Sequence, residues 1–214
     1  MNLLHDYWRS SASWRVRIAL TLKGIEWQSQ SHDLTRDQQR DSSYLELNPQ
    51  GLVPSWQESD GWVVSQSIAI LEYLEERYPK PALLPATPRA RAEVRSLVQL
   101  IACDIHPLNN LRVTRHLREQ WQADDARVTD WVCHWMREGF IALEARARKQ
   151  SSSGYLYGQS LTLADVCLVP QLYNAKRFGC VMDDFPALND IGAHLGSIAA
   201  FRDTRPEIHP GAPR

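Results

Sequence analysis

The 214-residue sequence has almost no net charge: 24 Lys and Arg stand against 25 Asp and Glu, a formal −1. That balance removes any global attraction to nucleic acid or to an anionic membrane and leaves only local basic sites. No apolar run approaches the ~20 residues a membrane-crossing helix needs. The first residues, Met1 to Asp6, lack a basic region followed by an apolar core, so no secretory leader is expected and a cytoplasmic location is. There is no C-x-x-C pair. The four cysteines, Cys103, Cys133, Cys167 and Cys180, are scattered through the second half. This spacing reads as reduced core thiols rather than metal ligands or a redox pair, and no metal site is expected. Internal repeats and low-complexity tracts are also missing. What is present is a 43% hydrophobic chain, enough for one large core or two small ones.

The two halves differ in texture. Residues 2–8 read as a strand and 13–23 as a helix whose apolar side carries Trp14, Val16, Ile18, Ala19 and Leu22, with Gly24 as its stop. A strand over 27–34 and a weaker helix over 36–47 follow. Val53 to Trp56 and Trp62 to Val64 read as two strands joined through Asp60-Gly61, a hairpin signal, and 66–78 reads as a helix. The order β-α-β-α-β-β-α fits a parallel βαβ unit followed by a hairpin and helix. Pro79, Pro81 and Pro85 then mark an extended linker. Beyond it the pattern is helical. Thr87-Pro88 starts a long helix running toward Trp121 and bent near Pro107. A second helix covers 124–149, and Ser151 to Gly154 is a loop. Thr162 and Asp165 form a capping box for a third helix, more turns cover 187–202, and the Pro-rich tail 206–214 is extended. The expected domains are 1–80 and 86–214.

Three segments of the first half could carry chemistry. Arg9-Ser10-Ser11-Ala12-Ser13-Trp14-Arg15 lies between a strand and a helix, where unpaired N–H groups and hydroxyls can stabilise an anion, a thiolate included; from this segment alone, simple capping is the plainer account. Asn48-Pro49-Gln50-Gly51-Leu52-Val53-Pro54 precedes a strand, and a cis Val53–Pro54 bond would turn the Val53 backbone outward. Ser65-Gln66-Ser67 opens a helix and suits a carboxylate, again with capping as the plainer account.

Taken together, these segments resemble the zeta-class glutathione transferases, the family of maleylacetoacetate and maleylpyruvate isomerases. In the second half, Cys103-Asp104-Ile105-His106-Pro107-Leu108-Asn109-Asn110 and the run from Leu163 to Leu172, followed by Asn174 to Phe178, match as well. The resemblance implies an α/β thioredoxin-like N-terminal domain, an all-α C-terminal domain and a homodimer. It implies glutathione as cofactor, with Ser10 and Ser11 beside the sulfur and the Val53 backbone, ahead of cis Pro54, pairing with the cysteinyl part. Gln66 and Ser67 would hold the γ-glutamyl carboxylate with help from Gln39, and His106 and Asn110 would close over the site. Where zeta enzymes often carry Cys, this chain has Ala12, so the nucleophile implied is the thiol of glutathione itself.

Isomerising a cis double bond requires breaking the π-bond for a moment. A thiolate does so by conjugate addition, rotation about the resulting single bond and expulsion. The implied substrate is a small dicarboxylic keto acid, maleylacetoacetate or maleylpyruvate, which calls for fixed cations. Arg9 adjoins the serine loop; Arg112 and Arg177 match family positions facing the substrate. Two other functions fit the same scaffold. A conjugating or haloacid-processing transferase would prefer chloro-aromatics, and a non-enzymatic binding protein would lack turnover.

Overall fold

Leu3–Asp6 (β1) lies inside a four-stranded sheet of order β2-β1-β3-β4. The computed structural model describes residues 1–149 and 153–213. Gln28–Ser31 (β2) runs parallel to β1, whereas Ser55–Gln57 (β3) is antiparallel to β1 and to Val63–Ser65 (β4). Ser11–Leu22 (α1) makes the crossover between the parallel strands, and Ser67–Arg77 (α3) packs beside it. The helix expected over 36–47 is instead two 3₁₀ turns, Leu34–Arg36 and Gln38–Arg40, then a short Ser42–Leu47 (α2). Asp37 in the left-handed region breaks the run. Its side chain accepts from Gln39 Nε2 at 3.1 Å, the kind of local bond that competes with a helix.

The α1 pattern underestimates how deeply that helix is buried. Arg15 and Arg17 are as covered as the apolar residues around them: Arg15 lies against Ser67 of α3, and a second layer lies over the Arg17 side of the helix. That layer is the C-terminal segment. By contacts the chain forms a first unit of Met1–Ala82 joined by residues from Ile198 onward, and a second unit of Leu83–Ser197. The tail therefore belongs with the first unit, not with the helical half expected over 86–214. The physical reason lies in its bonds. Trp14 Nε1 donates to Thr204 Oγ1 at 2.9 Å and Arg17 Nε to the Thr204 carbonyl at 3.4 Å. His209 Nε2 meets Asp6 Oδ2 at 3.0 Å and Ser29 Oγ at 3.1 Å. Nδ1 of His209 accepts the Gly211 N–H at 3.0 Å, so the ring proton sits on Nε2 and points at the carboxylate. Lys23 fixes the other margin: its Nζ reaches Glu75 at 2.8 Å and the carbonyls of Tyr78 and Pro81 at 2.7 and 3.0 Å.

Among the described residues, the regular elements of the second unit are all helical. Pro88–Gln99 (α4) starts where expected, with Thr87 Oγ1 accepting from Ala90 N. It does not continue to Trp121 as one bent helix. Residues Leu100–Ile105 widen into a π turn and His106–Asn109 tighten into a 3₁₀ turn before Leu111–Trp121 (α5). Pro107 has no N–H and its ring crowds the preceding turn, so the α ladder cannot run through. The widened turn pushes Ile105 against Asp125–Lys149 (α6), which accommodates it with Gly139: a Cβ there would lie 2.3 Å from the Ile105 side chain. Val128, Val132, Met136, Phe140, Leu143 and Ala147 form the buried stripe of α6 at helical spacing.

Leu163–Phe178 (α7) has the expected capping box: Thr162 Oγ1 accepts from Ala164 N and Asp165 Oδ2 from Thr162 N. Burial pushes the Asp165 carboxyl up to about 6, against the pull of the Leu156 and Thr162 donors; its bonds to those two backbone N–H groups and to the Thr162 hydroxyl give it a structural role. Pro186–Ser197 (α8) is capped by the buried Glu144 carboxylate, which accepts from Ala187 N and Leu188 N. Ala199–Arg202 (α9) follows and packs on α1. Of the loop expected at 151–154, Ser151 and Ser152 lie outside the described residues, as does Arg214 of the tail.

The cysteine reading needs correcting. Cys133 on α6 and Cys180 beyond α7 are joined by a disulfide, with Cα atoms 5.2 Å apart. They are 47 residues apart in sequence, so only the packing of α6 against the end of α7 brings them together. Cys167 is buried and outside the disulfide, as expected, and Cys103 is exposed rather than buried.

Candidate active site

Strand register gathers the three first-half segments. His5 pairs with Ser55 and Ser55 with Ser65. Residues after β1, before β3 and after β4 therefore leave the sheet at the same end. Arg9 to Ser11, Val53-Pro54 and Gln66-Ser67 are those residues.

Each segment is held by its own local bonds. Ser10 is the N-cap of α1 and accepts the Ser13 N–H at 3.2 Å, while its own N–H bonds the Tyr7 carbonyl at 3.0 Å. Ser11 begins the helix and is nearly buried. Behind the loop, Arg17 acts as a brace. It donates to Asp6 Oδ2 at 3.0 Å, to the Trp8 carbonyl at 2.9 Å and to the Tyr7 carbonyl at 3.5 Å. Burial works against ionisation of Asp6, but the His209 hydrogen bond, the Arg17 charge and Ser29 outweigh it and hold its carboxyl below the ordinary range. Arg9 is half-buried, its guanidinium 5.2 Å from the Trp8 ring centre.

The Val53–Pro54 bond is cis, as the family resemblance implied. Upstream, the Leu52 carbonyl accepts from Tyr44 Oη at 2.6 Å and Asn48 Nδ2 at 2.7 Å, which fixes the approach to Val53. Gln66 has φ +73°, a region costly for a residue with a Cβ and one that concentrates at binding sites. Its Nε2 donates to Gln50 Oε1 at 2.6 Å, tying the third segment to the second. Ser67 is nearly buried and its Oγ accepts from Arg15 Nη1 at 3.3 Å. Arg15 ends the first candidate segment, but the sequence assigned it no role of its own. The available signal was its place in Trp14-Arg15-Val16-Arg17-Ile18, where two arginines cannot both escape a helix buried on every side.

Polar atoms of this unit buried without a partner among the described residues include Ser13 Oγ, Gln39 Oε1 and Trp56 Nε1. Orphan donors and acceptors of this kind are expected where a polar ligand completes the bonding. With a helix N-terminus, paired hydroxyls and a second helix start at Ser67, the donor set fits a peptide bearing a thiol and carboxylates. Among the described residues no cluster suits a metal ion.

In the second unit, His106 opens the 3₁₀ turn that Pro107 imposes. Asn110 caps α5, its Oδ1 accepting from Arg112 N at 3.1 Å. Arg177, near the end of α7, donates from Nε and Nη2 to Asn174 Oδ1 at 3.1 and 2.7 Å, and stacks 4.2 Å over Phe178. Asn174 in turn donates to Asn109 Oδ1 at 2.9 Å, and Asn109 to the Ile105 carbonyl at 3.0 Å. A relay of amides thus joins Arg177 to the turn that bears His106 and Asn110. Arg112 is exposed on the first turn of α5, outside this relay. Asn109 and Asn174 had no predicted role; their buried amides inside a helical half were the readable sign.

The glutathione S-transferase N-terminal domain model matches residues 9–77. Maleylacetoacetate isomerase of Pseudomonas aeruginosa is 46% identical over 212 residues, covering 98% of both chains. A solved holo maleylpyruvate isomerase, described as a bacterial glutathione transferase of the zeta class, superposes with a TM-score of 0.95 at 39% identity, over 99% of this chain and 100% of that one. A maleylacetoacetate isomerase from Methylobacterium extorquens AM1, solved with malonate and glutathione, gives a TM-score of 0.94 at 36% identity over 99% and 100%. With the likeness spanning both units and including every segment of the site, the chain belongs to the zeta-class glutathione transferases, the family of the maleylacetoacetate and maleylpyruvate isomerases.

Proposed function

We propose that this protein is a glutathione-dependent cis–trans isomerase that converts maleylacetoacetate or maleylpyruvate to the fumaryl isomer in aromatic-acid breakdown. The observation that carries the reading is the convergence at one sheet end of a capped helix start, a cis-proline turn and a second helix start, in a chain whose relatives carry those names over their whole length.

Bound glutathione supplies a thiolate able to add reversibly to a conjugated double bond. The protein's part is to hold that sulfur charged and to hold the dicarboxylate still. Ser10 and Ser11 offer hydroxyls at the N-terminus of α1, where the helix dipole favours negative charge. The Val53 backbone offers the peptide-pairing edge, and Gln66 and Ser67 hold a carboxylate with Gln39 contributing a buried amide. Arg15 beneath Ser67 adds a fixed positive charge on that side. Arg9 serves the substrate carboxylate or the enolate oxygen. In the second unit His106 and Asn110 assist glutathione binding, and Arg112 and Arg177 clamp substrate carboxylates. The same reading makes the protein a cytoplasmic homodimer, which sedimentation of the purified protein checks.

Purified protein with glutathione should convert one of the two maleyl acids to its fumaryl isomer. Binding of glutathione without conversion of either acid would sink the proposal. Arg177→Ala should raise the apparent KM for the dicarboxylate about tenfold or more, the scale of one lost charge-assisted bond. An unchanged KM removes Arg177 from the site.

A further inference from the structure

The Cys133–Cys180 bond sits just past the end of α7, close in sequence to Arg177, and it has an approach of its own. A cleft of about 690 Å³ opens between α7 and α8, lined by Leu172, Lys176, Gly179, Cys180, Met182 and Asn189 among others. Cys180 lines it and Cys133 does not. Cys180 is held at the cleft wall by the cap that ends α7: Gly179 takes φ +71°, and the Cys180 N–H bonds the Ala175 carbonyl at 3.0 Å. Lys176 sets a cation on the same lining, suited to a carboxylate, with Asp183 as the one acidic group beside it. A disulfide in a protein of the reducing cytoplasm is ordinarily a transient or sensing one. Here the bond is also not the sole tie between its two segments. One turn beyond Cys133, Arg137 donates to Asp184 at 2.6 Å, and Phe140 packs edge-on to the buried Phe185. The fold therefore has other contacts to hold these segments when the sulfurs part.

We propose that Cys180 is a site of reversible thiol–disulfide exchange with a small thiol peptide of the glutathione class, so that the Cys133–Cys180 pair follows the cell's glutathione redox state. The proposal rests on the cytoplasmic reading above but not on isomerase activity. A glutathione thiolate attacks Cys180 Sγ from the cleft; the sulfur–sulfur bond breaks and Cys133 leaves as a thiolate that takes up a proton. A second glutathione thiolate attacks the glutathione sulfur of the mixed disulfide, releasing the Cys180 thiol and oxidised glutathione. Two glutathiones are oxidised and one protein disulfide is reduced. Run in reverse, oxidised glutathione restores the bond.

The test is intact mass and peptide mapping of full-length protein after equilibration in buffers of varied reduced-to-oxidised glutathione ratio, quenched with acid. A Cys103→Ser background removes the exposed thiol. The expected result is a disulfide form that gives way, as the ratio rises, to a dithiol through a species carrying one glutathionyl group on Cys180. With Cys133→Ser, oxidised glutathione should leave a stable single adduct on Cys180. With Cys180→Ser, modification of Cys133 should be at least tenfold slower. Three results would overturn the proposal: a pair that stays bonded in excess reduced glutathione yet opens with reductant in denaturant, a pair that stays dithiol at every ratio, or an adduct that maps to Cys133. Because the readout is mass rather than turnover, failure of the isomerase reading leaves a different trace.

Discussion

Ser10 and Arg15 show how single residues divide the labour at the site. Ser10 caps α1 and stands beside the position proposed for the sulfur. Ser10→Ala should lower turnover by about 10- to 100-fold, the worth of a hydrogen bond to a charged group, while glutathione affinity changes far less. Equal losses in turnover and affinity would mean that Ser10 helps binding alone. Arg15 acts at one remove, through the bond from its Nη1 to Ser67 Oγ. Arg15→Lys keeps the charge but loses the planar fork. The expected result is a KM for glutathione raised about tenfold with kcat nearly unchanged, measured on protein whose thermal midpoint shows it folded. A fall in kcat at unchanged KM would assign Arg15 elsewhere. Ala12 belongs at this scale too: it stands partly exposed on the first turn of α1, so the loop carries no thiol of its own.

At the scale of elements, the π turn and Gly139 form one device. Pro107 interrupts the ladder, the widened turn swings Ile105 onto α6, and only a glycine there leaves room. Gly139→Ala should cost about 1–3 kcal/mol by overpacking, despite alanine's better helix propensity. Combining it with Ile105→Ala should recover part of the loss, a non-additivity read from denaturant midpoints. A neutral Gly139→Ala would mean that Ile105 simply turns aside. Much of the element map was legible. The stripe from Val128 to Ala147 repeats at helical spacing, the Thr162–Asp165 box reads directly, and Asp60-Gly61 marked the hairpin. Other details were not legible. Pro107 marked a break but not the π turn that precedes it, the left-handed backbone of Asp37 shows only in the structure, and the meeting of Cys133 with Cys180 follows from the packing of α6 against the end of α7. The site was legible in outline because its parts sit on short segments next to turns; Arg15, Asn109 and Asn174 were not, because they act through partners far away in sequence.

At the scale of the molecule, the return of the C-terminal segment to the first unit links the chain's end to its beginning. His209 donates to Asp6, Asp6 pairs with Arg17, and Arg17 braces the carbonyls of Tyr7 and Trp8 just ahead of the serines. His209→Ala should cost about 1–3 kcal/mol, the penalty of a lost buried bond, seen as a lower thermal midpoint. The same cluster sets acid behaviour. Asp6 keeps its charge in the folded protein below the pH at which it would in the unfolded chain. Its contribution is therefore complete above the ordinary Asp range, near 4, and is lost as pH falls through the lower folded value. Denaturation midpoints of wild type and Asp6→Asn should differ at neutral pH and converge in acid. A constant gap would show that the charge is not what matters there.

That closure has a consequence for the protein's synthesis. A ribosome makes Asp6, Trp14 and Arg17 long before it makes Thr204 and His209. Domains that are continuous in sequence can settle as they emerge, but this one waits for residues on the far side of the whole helical unit. Until they arrive, a buried carboxylate and an indole lack their partners, and the loop bearing the serines is braced from one side only. Products that stop short of Thr204 should therefore be recognisable to cellular proteases as incomplete, even with the sheet and both flanking helices already made.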